Sequence, residues 1–142
     1  MASYVATAEI EINASPAQVW VALTDPQLIK KYMFGSQVET DWQPGSPITW
    51  SGEWEGRPYQ DKGQVLAAEP GRLLKVTHYS PLTGDDDVAE NYHTLRYELS
   101  QAGDGTAVSL TQDGCESEEQ AERFSQNWQG MLDGLKKVAE AD

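Results

Sequence analysis

The chain has 142 residues, and its 23 aspartate and glutamate residues outnumber its 10 lysine and arginine residues, which gives a formal net charge of −13. Because a chain of this length typically forms one domain with its own hydrophobic core, we expect a single domain over residues 1–142. The charge excludes a nonspecific nucleic-acid binder, since phosphate binding depends on lysine and arginine, and it argues against docking on anionic lipid. Residues 80–142 hold 14 of the acids and 4 of the bases, which indicates a solvated surface or, alternatively, a surface for a basic partner.

Other features of the sequence limit the chemistry and the location. The single cysteine, Cys115, has no partner for an internal disulfide, and no spacing of cysteine and histidine resembles a zinc site. The first residues lack the basic start and apolar run of a signal peptide, and no apolar stretch is long enough to span a bilayer. We therefore expect a cytoplasmic protein with no metal and no cofactor.

The first part of the chain predicts a strand followed by two short helices. Residues 4–12 alternate between polar and apolar side chains, the pattern of a half-buried strand. Ser15 is a suitable N-cap, and Pro16 fits the first helical position, where the missing N–H costs nothing. This helix should end at Asp25, and residues 27–32 predict a second short helix.

Residues 36–114 contain strand and turn signals. Turns rich in glycine and proline separate segments in which apolar side chains alternate, which is typical of an antiparallel meander. The predicted strands are residues 38–42, 48–54, 59–68, 73–79, 91–100 and 106–112. Residues 80–90 predict an exposed loop, and its three consecutive aspartates lack the ligand spacing of a calcium site.

The last segment changes to helical periodicity. Ser117 and Gln120 form a capping-box pattern, and apolar side chains then recur every three or four residues, as in an amphipathic helix of about six turns. These side chains are Phe124, Trp128, Met131, Leu132, Leu135 and Val138. Such a helix must bury its apolar stripe against the sheet. We therefore predict an α+β fold in which a curved antiparallel sheet of six to seven strands wraps around the C-terminal helix and leaves a cavity between them.

Several motifs match one superfamily. Residues 10–20 (IEINASPAQVW) resemble the first strand and helix of the START-like, or SRPBCC, helix-grip superfamily. Residues 63–70 (GQVLAAEP), 94–99 (TLRYEL) and 105–111 (GTAVSLT) also match. The ending, residues 127–136 (NWQGMLDGLK), is similar to the branch related to activators of the heat-shock-protein-90 ATPase. The resemblance implies the helix-grip fold over nearly the whole chain, with ligands entering between an apolar lip and the long helix.

One strand face concentrates aromatic residues that suggest a binding site. Trp50 and Trp54 share this face, and Gly52 between them lacks a side chain, so two indoles would flank an open slot for a flat apolar ligand. The predicted cavity residues are Trp50, Trp54, Tyr59, His78, Tyr97, Gln112, Phe124, Trp128 and Leu132. The predicted residues of the cavity mouth are Ile29, Met33 and Phe34. The alternative interpretation is that these side chains only pack the core.

Three functions are compatible with these patterns. The first, which the aromatic face favours, is a domain that binds a small hydrophobic or aromatic molecule. The second, which the resemblance implies, is a chaperone-linked protein-interaction module, monomeric or homodimeric. The third is an enzyme similar to START-like cyclases or hydrolases, with acid and base candidates His78, Tyr97, Tyr59 and Asp61. Because no nucleophile is paired with a base in the sequence, we assign no catalytic residue, and a hydrogen-bonded structural role is the alternative for His78.

Overall fold

A computed structural model describes residues 4–33, 35–54, 56–79, 88, 92–115 and 117–141, apart from the side chain of Trp54. The elements in chain order are β1 (Tyr4–Ile12), α1 (Pro16–Thr24), α2 (Pro26–Tyr32), β2 (Gln37–Glu39), β3 (Pro47–Trp54), β4 (Arg57–Glu69), β5 (Leu73–His78), β6 (His93–Ala102), β7 (Gly105–Cys115) and α3 (Glu118–Glu140). The loop predicted over residues 80–90 lies outside the described residues, apart from Val88. The predicted α+β architecture is confirmed.

All seven strands belong to one curved antiparallel sheet in the order β1-β7-β6-β5-β4-β3-β2. Strands β2 to β7 form a meander, and β1 then pairs with β7. Helices α1 and α2 link the two edge strands, and α3 packs against β1 and against both short helices. The helices therefore cover one face of the sheet and enclose an interior between sheet and helices.

Side-chain caps fix the starts of the helices. The Gln18 backbone N–H donates to the Ser15 hydroxyl (3.2 Å), and the Ser15 N–H donates to the Gln18 side chain (3.0 Å). Asp25 ends α1 and also caps α2, because its carboxylate accepts from the N–H two residues later (2.9 Å). Ser117 accepts from the Gln120 N–H (3.0 Å) at the start of α3. These bonds satisfy N–H groups that a helix leaves unpaired. They confirm the predicted starts of α1 and α3, whereas α2 begins at Pro26, one residue before its predicted start.

The strand predicted at residues 38–42 ends early, at Glu39. The next two side chains bond the backbone and so compete with the sheet ladder. The Trp42 N–H donates to the Thr40 hydroxyl (3.3 Å), and the N–H of the following residue donates to the Asp41 carboxylate (3.0 Å). Trp42 has a φ of 59°, in the left-handed region that few non-glycine residues adopt, and its side chain packs against the core.

The inward faces of the strands and the apolar stripe of α3 form one main core. Its fully buried side chains include Ile12, Ile48, Val65, Val76, Val108, Leu110, Leu132 and Leu135. A smaller cluster contains Ala6, Cys115 and Ala121, with Phe124 and Trp128 packed against it. Burial raises the pKa of the Cys115 thiol, so this side chain behaves as a small apolar residue at neutral pH.

Side chains of α3 bond the outer edge of β1. An edge strand presents unpaired N–H and C=O groups that invite pairing with another strand. Here the Thr7 N–H donates to the Ser125 hydroxyl (2.9 Å), the Gln129 amide to the Glu9 carbonyl (3.0 Å), the Lys136 ammonium to the Glu11 carbonyl (3.0 Å), and the Asn13 N–H to the Glu140 carboxylate (2.7 Å). We call this set of four contacts the β1–α3 seam. The hydrogen bonds from Lys136 and Asn13 lower the pKa of Glu140.

Candidate functional site

Two small cavities lie in the interior between the sheet and the helices. The first, the polar chamber, has a volume of about 60 Å³. Its polar wall residues are Ser36, Asp61, His78 and Tyr97, and its apolar ones are Met33, Trp50, Leu95 and Trp128. The second, the apolar chamber, has a volume of about 20 Å³, and its walls include Leu23, Ile29, Tyr32, Trp42, Ile48 and Val76. Such volumes hold a few water molecules, whereas a pocket for a drug-sized ligand measures roughly 300 Å³ or more.

Asp61 and His78 form a hydrogen-bonded pair in the wall of the polar chamber. Asp61 lies on β4 directly opposite Trp50 of β3, and His78 Nε2 lies 2.9 Å from Asp61 Oδ2. Since a carboxylate oxygen only accepts, His78 Nε2 carries the hydrogen that it donates to Asp61. The Trp50 and His78 rings meet edge-on, with centroids 5.1 Å apart and planes at 69°. The carboxylate and the indole together fix the imidazole.

A glycine lets the strands that carry this pair come close together. A Cβ atom on Gly63 would lie 1.8 Å from the Thr77 carbonyl oxygen, which no pair of unbonded atoms tolerates. The register of β4 and β5 shifts just beyond this point, the mark of a β-bulge. The close approach at Gly63 helps to bring Asp61 within hydrogen-bond distance of His78.

One buried polar atom in the wall of the polar chamber has no hydrogen-bond partner among the described residues. It is Asp61 Oδ1, although the other oxygen of its carboxylate bonds His78. Tyr97 is also buried, at 6% exposed, and no hydrogen bond to a described residue engages its hydroxyl. Burial raises the pKa of Tyr97, so its phenol stays neutral and can donate or accept. A buried polar group without a partner costs about 1–3 kcal/mol, and a bound molecule could recover this loss.

Tyr32 provides a contrast with Tyr97. Both side chains are buried, and both line the apolar chamber. Burial is the main cause that raises the pKa of Tyr32, and the nearby Tyr97 raises it further. The Tyr32 hydroxyl, however, donates to the Ala22 carbonyl (2.6 Å). This hydrogen bond ties α2 to α1, so the Tyr32 phenol completes the fold while the Tyr97 hydroxyl is left open to the interior.

Hydrogen bonds behind the polar chamber fix two of its wall residues. The Trp128 indole N–H donates to the Gln112 side-chain oxygen (2.6 Å). The hydroxyls of Tyr59 and Ser36 lie 2.6 Å apart and share a hydrogen bond. Trp128 and Ser36 therefore line the chamber with their polar groups already engaged.

Tyr59 also corrects the prediction of an open slot at Gly52. The two residues are directly opposite each other on β3 and β4. A Cβ atom on Gly52 would lie 2.8 Å from the Tyr59 hydroxyl oxygen. The phenol therefore occupies the space that the glycine leaves, and among the described side chains no open slot remains beside Trp50 at this position.

The structure brings part of the predicted site together. The predicted residues that line one or both chambers are Ile29, Met33, Trp50, His78, Tyr97 and Trp128. Gln112 and Tyr59 stand behind the wall as hydrogen-bond partners. In the wall of the polar chamber, the sequence prediction missed Ser36 and Leu95, and it named only Ile29, Met33, Trp50 and Tyr97 of the apolar chamber. Leu95 precedes Tyr97 by two residues on one strand, so alternation marks it, whereas no local pattern marks Ser36.

The other predicted site residues do not line either chamber or cannot be placed. Phe124 packs against the smaller cluster at the start of α3. Leu132 is fully buried in the main core. The side chain of Trp54 and all of Phe34 lie outside the described residues.

The family of the chain follows from comparisons with known proteins. The sequence model of the family described as "Activator of Hsp90 ATPase homolog 1-like protein" matches residues 13–140. The chain belongs to this family. This confirms the resemblance to the START-like branch related to activators of the chaperone ATPase. The comparison with curated proteins found no match.

Solved structures share this fold. The solution structure of ChR145 from Cytophaga hutchinsonii is 44% identical, with a TM-score of 0.85 over 96% of this chain and 94% of that one. The Aha1 dimer from Colwellia psychrerythraea is 20% identical, with a TM-score of 0.74 over 96% of each chain. Ara h 8.0201 is 14% identical, with a TM-score of 0.77 over 99% of this chain and 100% of that one. The last two likenesses establish the fold alone.

Two further classes of site are absent from the part of the chain that the structure describes. No group of three histidine, cysteine, aspartate or glutamate residues is arranged to hold a metal ion there. No helix in the same residues is both long and apolar enough to cross a membrane.

Proposed function

We propose that this protein binds a small aromatic or hydrophobic molecule between its sheet and its C-terminal helix. The observation that carries the proposal is the buried Asp61 Oδ1, which has no partner among the described residues. It belongs to a wall that also contains Trp50, Tyr97 and Trp128. Buried polar atoms in a packed core are normally paired, whereas convergent polar groups in an apolar cavity are typical of a ligand site.

The two chambers must join and widen to hold such a molecule. They share the wall residues Met33, Trp50 and Tyr97. Trp50 and Tyr97 are held by the strands β3 and β6, whereas Met33 follows the end of α2 and has an unbranched side chain that adapts easily. Rotation of Met33 is the simplest movement that connects the chambers, and Ile29 beside it suggests entry near α2.

A titration of isotope-labelled protein tests this proposal. Indole, naphthalene and propylbenzene should each be tried, and binding should shift the indole N–H resonances of Trp50 and Trp128. Met33→Ala widens the passage and should tighten binding, whereas Met33→Trp fills it and should abolish binding. Val21→Ala is the matched control, since Val21 is 49% exposed on α1. If no ligand shifts these resonances in the wild-type or Met33→Ala protein, the proposal is wrong.

A second candidate is a chaperone-linked interaction module, which family membership supports. A groove of about 720 Å³ crosses the outer face of the sheet over β1, β7 and β6, and Glu9, Arg96 and Glu98 are among its wall residues. Stimulation of the host chaperone's ATPase that is lost in Arg96→Glu and kept in Met33→Trp would favour this candidate. The opposite pattern of losses would favour the interior site.

A further inference from the structure

Resting on the proposed interior site, we propose that its ligand carries a protonated amine on an aromatic or aliphatic body. The amine donates a hydrogen bond to Asp61 Oδ1 in the polar chamber. The body of the ligand occupies the apolar chamber, once Met33 has moved aside. The site therefore selects amines over carboxylates of the same shape.

The polar groups of the chamber set this preference. Asp61 is the acidic residue of its described wall, and no lysine or arginine lies in that wall. His78 Nε2 is already engaged with Asp61 Oδ2, and Ser36 with Tyr59. The buried atom without a partner among the described residues is Asp61 Oδ1, which as a carboxylate oxygen only accepts, and the unengaged Tyr97 hydroxyl can donate or accept. A ligand with a donor satisfies both, whereas a carboxylate would meet Asp61 as a like charge in a desolvated space.

The aromatic wall residues favour a cation for a separate reason. The rings of Trp50, Tyr97 and Trp128 all line the polar chamber, and aromatic rings attract cations through their negative faces. The Trp128 N–H is engaged with Gln112, so this residue contributes its ring and no free donor. A carboxylate and several aromatic rings around one space form a suitable cage for an ammonium group.

The sizes of the chambers divide the ligand into two parts. The polar chamber, of about 60 Å³, has room for an ammonium group and its attached carbon but not for a whole aromatic molecule. The apolar chamber has walls of aliphatic and aromatic residues and is joined to the first through Met33, Trp50 and Tyr97. An amine linked to an apolar body fits this arrangement, with the amine in the polar chamber and the body in the apolar chamber.

Three ligands of similar shape test the inference by NMR titration at a single pH. They are phenethylamine, propylbenzene and hydrocinnamate, which end in an ammonium, a methyl and a carboxylate group. Wild-type protein should bind phenethylamine about tenfold or more tightly than either of the others, since hydrogen bonds to charged groups are the stronger kind. Asp61→Asn keeps the shape of the side chain and should remove this preference. Asp133→Asn is the matched control, because Asp133 is exposed on α3, and should keep it.

The outcomes separate this inference from the proposed function. If propylbenzene or hydrocinnamate binds wild-type protein as tightly as phenethylamine, the inference is wrong and the interior site stands. If a folded Asp61→Asn protein keeps the preference for the amine, the inference is also wrong. If none of the three ligands binds, the proposed function fails with it. The wild-type comparison needs no variant, so it decides the matter even if Asp61→Asn does not fold.

Discussion

The β1–α3 seam and the polar chamber differ in whether their polar groups have hydrogen-bond partners. Along the seam, three backbone groups of the edge strand β1 and the N–H of Asn13 just after it each meet a side chain of α3 at 2.7–3.0 Å. In the chamber, Asp61 Oδ1 and the Tyr97 hydroxyl have no partner among the described residues. The seam is at the surface, where water could supply the hydrogen bonds equally well, yet all four of its backbone groups have protein partners. The chamber is buried, where a missing hydrogen-bond partner costs most, yet some of its polar groups lack one.

This difference suggests what each region is for. Side chains at the seam close the edge of the sheet and hold the long helix in register, and no further molecule is needed there. In the chamber, the fold gathers a carboxylate, an imidazole and three aromatic rings without completing their contacts. Buried polar groups normally have hydrogen-bond partners. Exceptions are expected at functional sites, where function is favoured over stability. The incomplete region is therefore the one that we propose binds a ligand.

The largest expected effect concerns Gly63, beside the chamber. Gly63→Ala places a Cβ atom 1.8 Å from the Thr77 carbonyl oxygen, so β4 and β5 must separate, and we expect a loss of about 3 kcal/mol in the free energy of unfolding. Gly130→Ala is the control on the seam helix, since nothing lies within 4 Å of its added Cβ, and should stabilise by about 0.5–1 kcal/mol. Urea denaturation measures both. Equal stability of the two variants would mean that the strands do not meet closely at Gly63.

The next effect separates the two buried phenols. Tyr32→Phe leaves the Ala22 carbonyl without its donor and should cost about 1–2 kcal/mol. Tyr97→Phe removes a hydroxyl that has no described partner and should be neutral or stabilise by about 1 kcal/mol. Thermal and urea unfolding compare them directly. A loss for Tyr97→Phe as large as that for Tyr32→Phe would show that the Tyr97 hydroxyl is already satisfied in the folded protein.

The pH dependence of stability follows from the same phenols. Burial raises the pKa of Tyr97 above the ordinary value of 10.0, so the unfolded chain releases this proton first. The stabilisation is complete below about pH 10 and is lost as the pH rises towards the folded-state pKa, by up to about 1.4 kcal/mol per pH unit for each such group. Tyr97→Phe should therefore lose stability less steeply than wild type above about pH 10. Tyr4→Phe, at a side chain that is 42% exposed, should follow wild type, and identical slopes for all three proteins would refute the account.

The smallest effect is expected at the seam. Ser125→Ala removes the acceptor of the Thr7 N–H, but water can replace it at this exposed edge, so we expect a loss of about 0.5 kcal/mol. Ser100→Ala, at an exposed position of β6, is the control and should be close to neutral. A loss above about 1.5 kcal/mol in the free energy of unfolding for Ser125→Ala would mean that water does not replace this hydrogen bond, as for a buried contact. The contrast between the seam and the chamber would then be weaker.

Much of the fold and part of the site could be predicted from the sequence. Strand alternation places Trp50, His78 and Tyr97 on inward faces, and helical spacing places Trp128 on the buried stripe of α3. These periods are local, so they need no knowledge of the neighbours. The periods predict that four side chains of the polar chamber face the interior, but they do not predict the distances between them.

The remaining features depend on contacts between elements. The phenol of Tyr59 fills the space over Gly52 because β3 and β4 pair in one register, and no local pattern fixes that register. Ser36 reaches the chamber through a turn after α2, outside any periodic segment. The size of the chambers depends on how side chains from the three helices and from strands β3 to β6 pack. For the same reason, the sequence could not predict that Asp61 Oδ1 lacks a hydrogen-bond partner among the described residues.

The most direct test of the central claim is where a bound ligand lies. Intermolecular NOEs should be recorded for labelled wild-type protein with the tightest-binding of the ligands named above. We predict contacts from the ligand to the rings of Trp50, Tyr97 and Trp128. Contacts only to residues of the outer groove, such as Leu73 and Ala107, would contradict the claim that the interior chamber is the binding site.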